Sequence, residues 1–303
     1  MIAFLYPGQG AQHPGMLAKL PGTATTRRTL AEAAELVPAI DQLDSAEALE
    51  STTNAQLALL ISGVATARTL SDEHGVQPDI VAGHSVGAFA AAVGAGVLTF
   101  AEAVAAVRLR GDAMAQACAS GRWGMAALTG VRLRVARALV ASEPACDTLW
   151  IANINAVDQV VLGGTIEALD GVRWVAERAG ARRFEMLDMA VASHGPVQRD
   201  TAVAMAEHLS TIPHREQRAA YMTNVGARRI RDDSAAVLDD LAAAVAHPVR
   251  WFDIVRLLPE LGVIATVEMP PDDVLSRLVT ATTPGVRAYS VGDDGPGPIA
   301  ARL

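Results

Sequence analysis

The chain opens with an apolar run, Ile2 to Tyr6, that gives way to the glycine-rich PGQGAQ at Pro7 to Gln12. This order predicts a short buried strand feeding a loop. From Asn54 to Ser71 the apolar residues of NAQLALLISGVATARTLS recur at helical spacing. Pro78 breaks that pattern ahead of a second short strand, DIVAG, and Ser85 then stands at a sharp turn into the alanine-rich AFAAAVGAG. A further helix is predicted from about Phe100 to Ala119, ending before SGRWG.

The middle of the chain has a different rhythm. GMAALTG reads as a strand, Leu133 to Ser142 as a helix, and TLWIANINA and QVVLGG as two strands around Val157 and Asp158. Ile166 to Ala179 follows as a helix and RRFEMLD as a strand. That βαββαβ order is the ferredoxin-like pattern, which predicts a compact insert of about 65 residues. The expected division is a large α/β core in two parts, residues 1–122 and 190–303, around a ferredoxin-like small domain at 123–189. The second part carries a helix from about Pro196, the strand AYMTNV, helices at Ala235 to Ala246 and Phe252 to Leu261, and the strand VIATVEM. GDDGPGPIAARL at the end lacks periodicity and is expected to be a loose tail.

Composition narrows the function. At 303 residues, half of them hydrophobic, the chain can bury a sizeable core. A net charge of -8 gives no support to nucleic-acid binding, which needs a basic face. The N-terminus lacks a basic segment before its apolar residues, and no apolar run approaches the roughly 20 residues that span a bilayer. A soluble, cytoplasmic protein is expected, with no membrane or nucleic-acid partner. Cys118 and Cys146 have neither metal-type spacing nor a framework of pairs, and both read as reduced structural thiols. Lys19 is the one lysine and lies in no suitable motif, which argues against Schiff-base and P-loop chemistry.

The candidate chemistry centres on Gly83-His84-Ser85-Val86-Gly87. A glycine on each side lets the chain turn sharply from strand to helix and keeps the serine hydroxyl uncrowded, as in a nucleophile elbow. The N–H after the serine lies at a helix start, where unpaired donors can stabilise an oxyanion. The plain alternative is a small residue at a tight turn. Of seven histidines, His84 is expected to point away from Ser85, and His13, His74, His208 and His214 read as surface residues. His247, before Pro248, reads as a helix-end residue. His194, in AVASHGP, lies in a small-residue loop where two domains would meet a cleft, and it is the candidate base or else a structural residue.

Five further markers run in order along the chain: PGQGAQ at Pro7 to Gln12, GHSVGA at Gly83 to Ala88, RLRGDAM at Arg108 to Met114, ASHGP at Ala192 to Pro196 and HPVRW at His247 to Trp251. Together they resemble the malonyl-CoA:acyl carrier protein transacylase family. LDSAEALESTTNAQLALLISGVA, from Leu43, and VEMPPDDVL, from Val267, are most similar to the transacylase subunit of malonate decarboxylase. The resemblance implies an α/β hydrolase-like core and a ping-pong acyltransferase. Ser85 would accept malonyl from malonyl-CoA, and His194 would act as base and then acid. The backbone N–H groups of Gln9 and Val86 would form the oxyanion hole, and Arg110 would hold the free carboxylate with its planar guanidinium.

Main-chain carbonyls between Ala244 and His247 would orient the imidazole. The sequence departs from the family's glutamine and asparagine there, and carries Ala88 and Gln198 where a glutamate and a methionine are usual. The acceptor implied is the phosphopantetheine-type thiol of an acyl carrier protein, with other malonate decarboxylase subunits as further partners. No metal or redox cofactor is implied. Basic segments at Arg178 to Arg183 and Ala227 to Arg231 are the candidates for carrier docking. A malonyl transacylase of fatty-acid or polyketide synthesis, a thioesterase, which would use water as acceptor, and a non-catalytic carrier-docking protein remain as rival readings.

Overall fold

Residues 2–6 and 80–83 are apolar or small throughout and lie almost wholly buried, as in strands covered on both faces. They are the centre of the main sheet. The computed structural model describes residues 1–142, 147–189 and 191–303. Its strands are β1 (Ile2–Tyr6), β2 (Ile80–Gly83), β3 (Trp123–Thr129), β4 (Leu149–Ala156), β5 (Gln159–Thr165), β6 (Arg183–Met186), β7 (Ala220–Met222), β8 (Arg229–Ile230), β9 (Ala265–Glu268) and β10 (Arg287–Ser290). The principal helices are α1 (Ala24–Leu36), α2 (Thr52–His74), α3 (Gly87–Gly94), α4 (Phe100–Ala117), α5 (Leu133–Ser142), α6 (Ile166–Arg178), α7 (Arg199–Leu209), α8 (Ser234–Ala243), α9 (Trp251–Glu260) and α10 (Val274–Thr282).

The first sheet has the order β10-β9-β1-β2-β7-β8, parallel except for the edge strand β8. Helices cover both faces. Leu60, Ile61, Phe89 and Phe100 pack on one side of it, and Trp251, Ile254 and Leu258 on the other. The second sheet has the order β4-β5-β3-β6 and is antiparallel throughout. It carries α5 and α6 over its own core of Leu128, Leu162, Leu169 and Phe184. The order of elements between Trp123 and Met186 is the βαββαβ read from the sequence. A short parallel bridge between Asn153 and Val249 joins β4 to the segment before α9. Ile154 N–H donates to Val249 O at 2.8 Å and Val249 N–H to Ala152 O at 2.9 Å, so the two sheets are held together there.

One expectation fails. The end of the chain is not loose: residues 291–294 and 296–300 are helical, and Ile299 is fully buried against the core that includes α2. A single apolar residue flanked by Gly and Pro has no periodicity to detect, yet burying it ties the segment down. Pro196 starts a single 3₁₀ turn, and α7 begins at Arg199. Cys118 is a buried free thiol, and Cys146 lies outside the described residues. No helix among the described residues is long and apolar enough to cross a membrane.

Candidate active site

β2 ends at Gly83 and α3 begins at Gly87, leaving three residues to reverse the chain. A Cβ on Gly83 would stand 2.1 Å from the Gly87 carbonyl carbon, and one on Gly87 would stand 2.2 Å from Tyr6 O. No side chain fits at either position. Between them Ser85 adopts φ 55°, in the left-handed region, where a non-glycine residue is strained by roughly 1–3 kcal/mol. Asn224, just past β7, holds it there: Oδ1 accepts from Ser85 N–H at 3.0 Å and Nδ2 donates to Gly83 O at 2.9 Å. Buried Asp240 on α8 fixes Asn224 in turn, accepting from the N–H groups of Asn224 and Val225 and from the Tyr221 hydroxyl at 2.9–3.0 Å.

Ser85 Oγ lies 2.8 Å from His194 Nε2. His194 also has a positive φ, 60°, and is 2 % exposed. Its main-chain N–H donates to Val245 O at 2.7 Å, and its Nδ1 lies 2.6 Å from Ala244 O and 3.2 Å from His247 O. A carbonyl can only accept, so Nδ1 carries the proton and the neutral ring offers a free Nε2 lone pair to the serine hydroxyl. Burial, reinforced by the charge on Arg110, pushes the imidazole down to about 3, which keeps it neutral. The pair is therefore poised with the serine donating and the histidine accepting. Gln198 supports the loop from behind, donating from Nε2 to Ala192 O at 2.8 Å.

Arg110 projects from α4 and is 2 % exposed. Nη1 donates to Gln56 Oε1 at 2.6 Å and Nη2 to Ser85 Oγ at 3.1 Å. Among the described residues it has no carboxylate partner, and burial lowers it to about 10, leaving it charged at neutral pH. Gln56 continues the chain, with Nε2 donating to Gln9 Oε1 at 3.3 Å. Gln9 follows Gly8, whose absent side chain lets the loop approach the elbow: a Cβ there would lie 2.6 Å from His84 O. The N–H groups of Gln9 and Val86 have no protein acceptor among the described residues, although Val86 is 1 % exposed. His84 Nε2 lies 3.0 Å from Asn155 Oδ1 and its ring tilts on Trp251.

The structure thus brings Ser85, His194, Arg110, Gln9 and Val86 to one place, where it also sets Asn224, Asp240 and Gln56. Those three were not read from the sequence. Asn224 had a weak signal, as a polar residue closing the strand AYMTNV at the level of the Ser85 elbow. The arrangement supplies an activated hydroxyl, a base with a fixed tautomer, two free backbone donors and a buried cation. Together these suit acyl transfer from an anionic acyl group.

Comparison with known proteins agrees. Residues 3–292 match the family model for the acyl transferase domain. The chain is 34% identical over 284 residues to a malonyl CoA-acyl carrier protein transacylase of Salmonella typhimurium, covering 91% of each protein. It is 31% identical over 300 residues to one from Bacillus subtilis, covering 96% of this chain and 93% of the relative. An acyl-carrier-protein S-malonyltransferase from Burkholderia pseudomallei superposes with a TM-score of 0.93 at 32% identity, over 100% and 99% of the two chains. A malonyl-transacylase solved with its type II PKS acyl-carrier protein gives 0.92 at 30% identity, over 99% of each. The fold is that of an acyl transferase domain. The chain belongs to the malonyl CoA-acyl carrier protein transacylase family.

Proposed function

We propose that the protein moves malonyl from malonyl-CoA, through an ester on Ser85, to the phosphopantetheine thiol of an acyl carrier protein. The observation that carries this reading is the buried Arg110 guanidinium, without a carboxylate partner among the described residues and 3.1 Å from Ser85 Oγ. Ser85 Oγ attacks the thioester carbonyl while His194 Nε2 takes its proton. The tetrahedral oxyanion is held by the N–H groups of Gln9 and Val86. The C–S bond then breaks and the imidazolium returns its proton to the departing CoA thiolate. The carrier thiol enters by the reverse of these steps, giving up its proton to His194, and the Ser85 ester breaks.

In this reading the chain is a cytoplasmic enzyme with an α/β hydrolase-like core, residues 1–122 and 190–303, and a ferredoxin-like unit at 123–189. The antiparallel order β4-β5-β3-β6 supports that label for the smaller unit. The carrier is of the fatty-acid or polyketide type, in line with the named relatives. The carrier subunit of malonate decarboxylase is a second reading, favoured by Leu43 to Ala65 and by Pro270-Pro271 in VEMPPDDVL.

Intact-mass measurement after mixing with malonyl-CoA tests the chemistry. One malonyl group is expected on wild type and none on Ser85→Ala, with transfer lost by several orders of magnitude. An adduct that survives the substitution overturns the assignment. Offering both carrier types to the malonylated enzyme separates the two readings. Steady release of free malonate without a carrier would instead mark a thioesterase.

A further inference from the structure

Behind the Ser85 elbow lies a cavity of about 510 Å³ that the reaction does not use. It opens at the other end of the main sheet: Gln77 and Pro78, which precede β2, and Ala219, which precedes β7, line it. Ser85 and Asn224 follow those same two strands. Ligands of an open α/β sheet enter at the carboxyl ends of its strands, so this cavity is not the substrate crevice. Its volume is that of a small-molecule pocket. Its walls are apolar and partly aromatic, from Phe4 on β1, Val64 on α2, Val93 on α3, and Leu98 and Phe100 around the start of α4.

Two polar groups give the cavity a direction. Tyr6 lines it and is 1 % exposed, yet its hydroxyl has no hydrogen-bond partner among the described residues. That hydroxyl points at a glycine that also lines the cavity: a Cβ on Gly94 would stand 2.6 Å from Tyr6 Oη. Burial raises the Tyr6 pKa, so the group is an O–H donor that lacks an acceptor. Such a group destabilises the fold until something supplies the acceptor. Arg218, also on the lining, is exposed and forms no ion pair among the described residues. The other charges there are engaged: Glu32 bonds to Arg68, whose guanidinium lies over the Phe100 ring, and Asp72 pairs with Arg28.

We propose that this cavity is a second ligand site, for a small aromatic carboxylate that carries a hydrogen-bond acceptor opposite its carboxylate. The carboxylate meets Arg218, the ring lies against Phe4 and Phe100, and the acceptor takes the Tyr6 hydroxyl. The site stands independently of the acyl-transfer reading, although Tyr6 joins the two. Its carbonyl accepts from His84 N–H at 2.9 Å and leaves no room for a side chain at Gly87, so a ligand seated on the Tyr6 ring acts on the elbow from behind.

The test is calorimetric titration into wild type, Tyr6→Phe and Arg218→Ala. The probes are 4-acetylbenzoate, 4-isopropylbenzoate, which lacks the acceptor, and methyl 4-acetylbenzoate, which lacks the charge. Wild type is expected to bind 4-acetylbenzoate, and the methyl ester at least about tenfold more weakly. Arg218→Ala should reduce the acid to the level of the ester, and Arg218→Lys should recover part of the loss. Tyr6→Phe should lower affinity for 4-acetylbenzoate about fivefold and leave that for 4-isopropylbenzoate unchanged. The unliganded Tyr6→Phe protein should melt no lower than wild type, since it loses only an unpartnered hydroxyl. Occupancy is expected to change kcat for Ser85 acylation without changing KM for malonyl-CoA. No binding of 4-acetylbenzoate, equal affinity for acid and ester, or equal losses of both acids in Tyr6→Phe would overturn the site. Displacement of the acid by malonyl-CoA would overturn it too, by placing the ligand beside Ser85. Where Tyr6→Phe does not fold, the ratio of acid to ester in wild type and Arg218→Ala still decides. If Ser85 is not acylated while binding follows Tyr6 and Arg218, the reaction reading fails and the site stands.

Discussion

The two loops that meet at the candidate site are strained alike and restrained differently. Ser85 and His194 both sit at positive φ, 55° and 60°. Ser85 is held by a side-chain clamp, Asn224 backed by Asp240, and by the glycines that make room for it. His194 is held by main chain, through the carbonyls of Val245, Ala244 and His247. A side-chain restraint can be removed by one substitution and depends on residue identity. A main-chain restraint depends on backbone path, so Ala244 and His247 serve although neither is the residue usual in the family. The departures that leave the orienting group open in the sequence do not matter to a carbonyl.

Arg110 bonds to Ser85 and its charge acts on His194, and its removal is expected to have the largest selective effect. Losing one partner of a desolvated charge pair costs about 2–5 kcal/mol, so Arg110→Ala should lower malonyl transfer by roughly 30- to several-thousand-fold. Acetyl-CoA has no second carboxylate and should hold steady. The ratio of malonyl to acetyl kcat/KM in wild type and variant, taken beside a melting curve, decides it. If both substrates fall together, the guanidinium serves to arrange Ser85 and does not read the acyl group.

Asn224→Ala cuts the serine-side clamp without touching the histidine side. It leaves Ser85 N–H and Gly83 O without their partner, and an unsatisfied buried group costs about 1–3 kcal/mol, or roughly 5- to 150-fold. The loss should fall on kcat, for malonyl and acetyl donors alike, with KM nearly unchanged. Asn224→Asp can still accept from Ser85 N–H and should retain more activity than alanine. Equal activity of wild type and Asn224→Ala would mean that the glycines alone hold the elbow.

How much was legible follows the range of each interaction. The Gly83 to Gly87 elbow is local chemistry, so the strand, turn and helix around Ser85 can be read from five consecutive letters. The alternation of Trp123 to Met186 is local too, and its element order matches. Asn224 acts on Ser85 across 139 positions, and Gln56 on Arg110 across 54, with no periodicity to betray either. Arg108 and Arg110 look alike in RLRGDAM, and only packing decides that Arg110 is the buried one. Ile299 makes the same point for the chain end, where one buried side chain outweighs an aperiodic sequence.

The smallest expected effect is a shift in pH dependence, and it tests how the two halves are coupled. His194 is held down to about 3, first by burial and then by the Arg110 charge. A base with a depressed pKa stays unprotonated until the pH falls to that value. Acylation by malonyl-CoA, followed as kcat/KM, should therefore show no acid limb near the ordinary histidine value of about 6.5. Stability changes in the same window: between about 6.5 and about 3 the unfolded chain takes up a proton that folded His194 refuses, so acidification weakens the fold. In the proposed reaction, malonyl on Ser85 would set its carboxylate against Arg110, and the second of the two causes would then disappear while burial remains. The acid limb for transfer from the malonylated enzyme should then lie at higher pH than the limb for acylation. Arg110→Gln should raise the acylation limb in the same direction without any acyl group present. Stopped-flow measurement of the two half-reactions across pH decides it: coincident limbs, or an acylation limb near 6.5, would show that Arg110 does not set the proton affinity of His194.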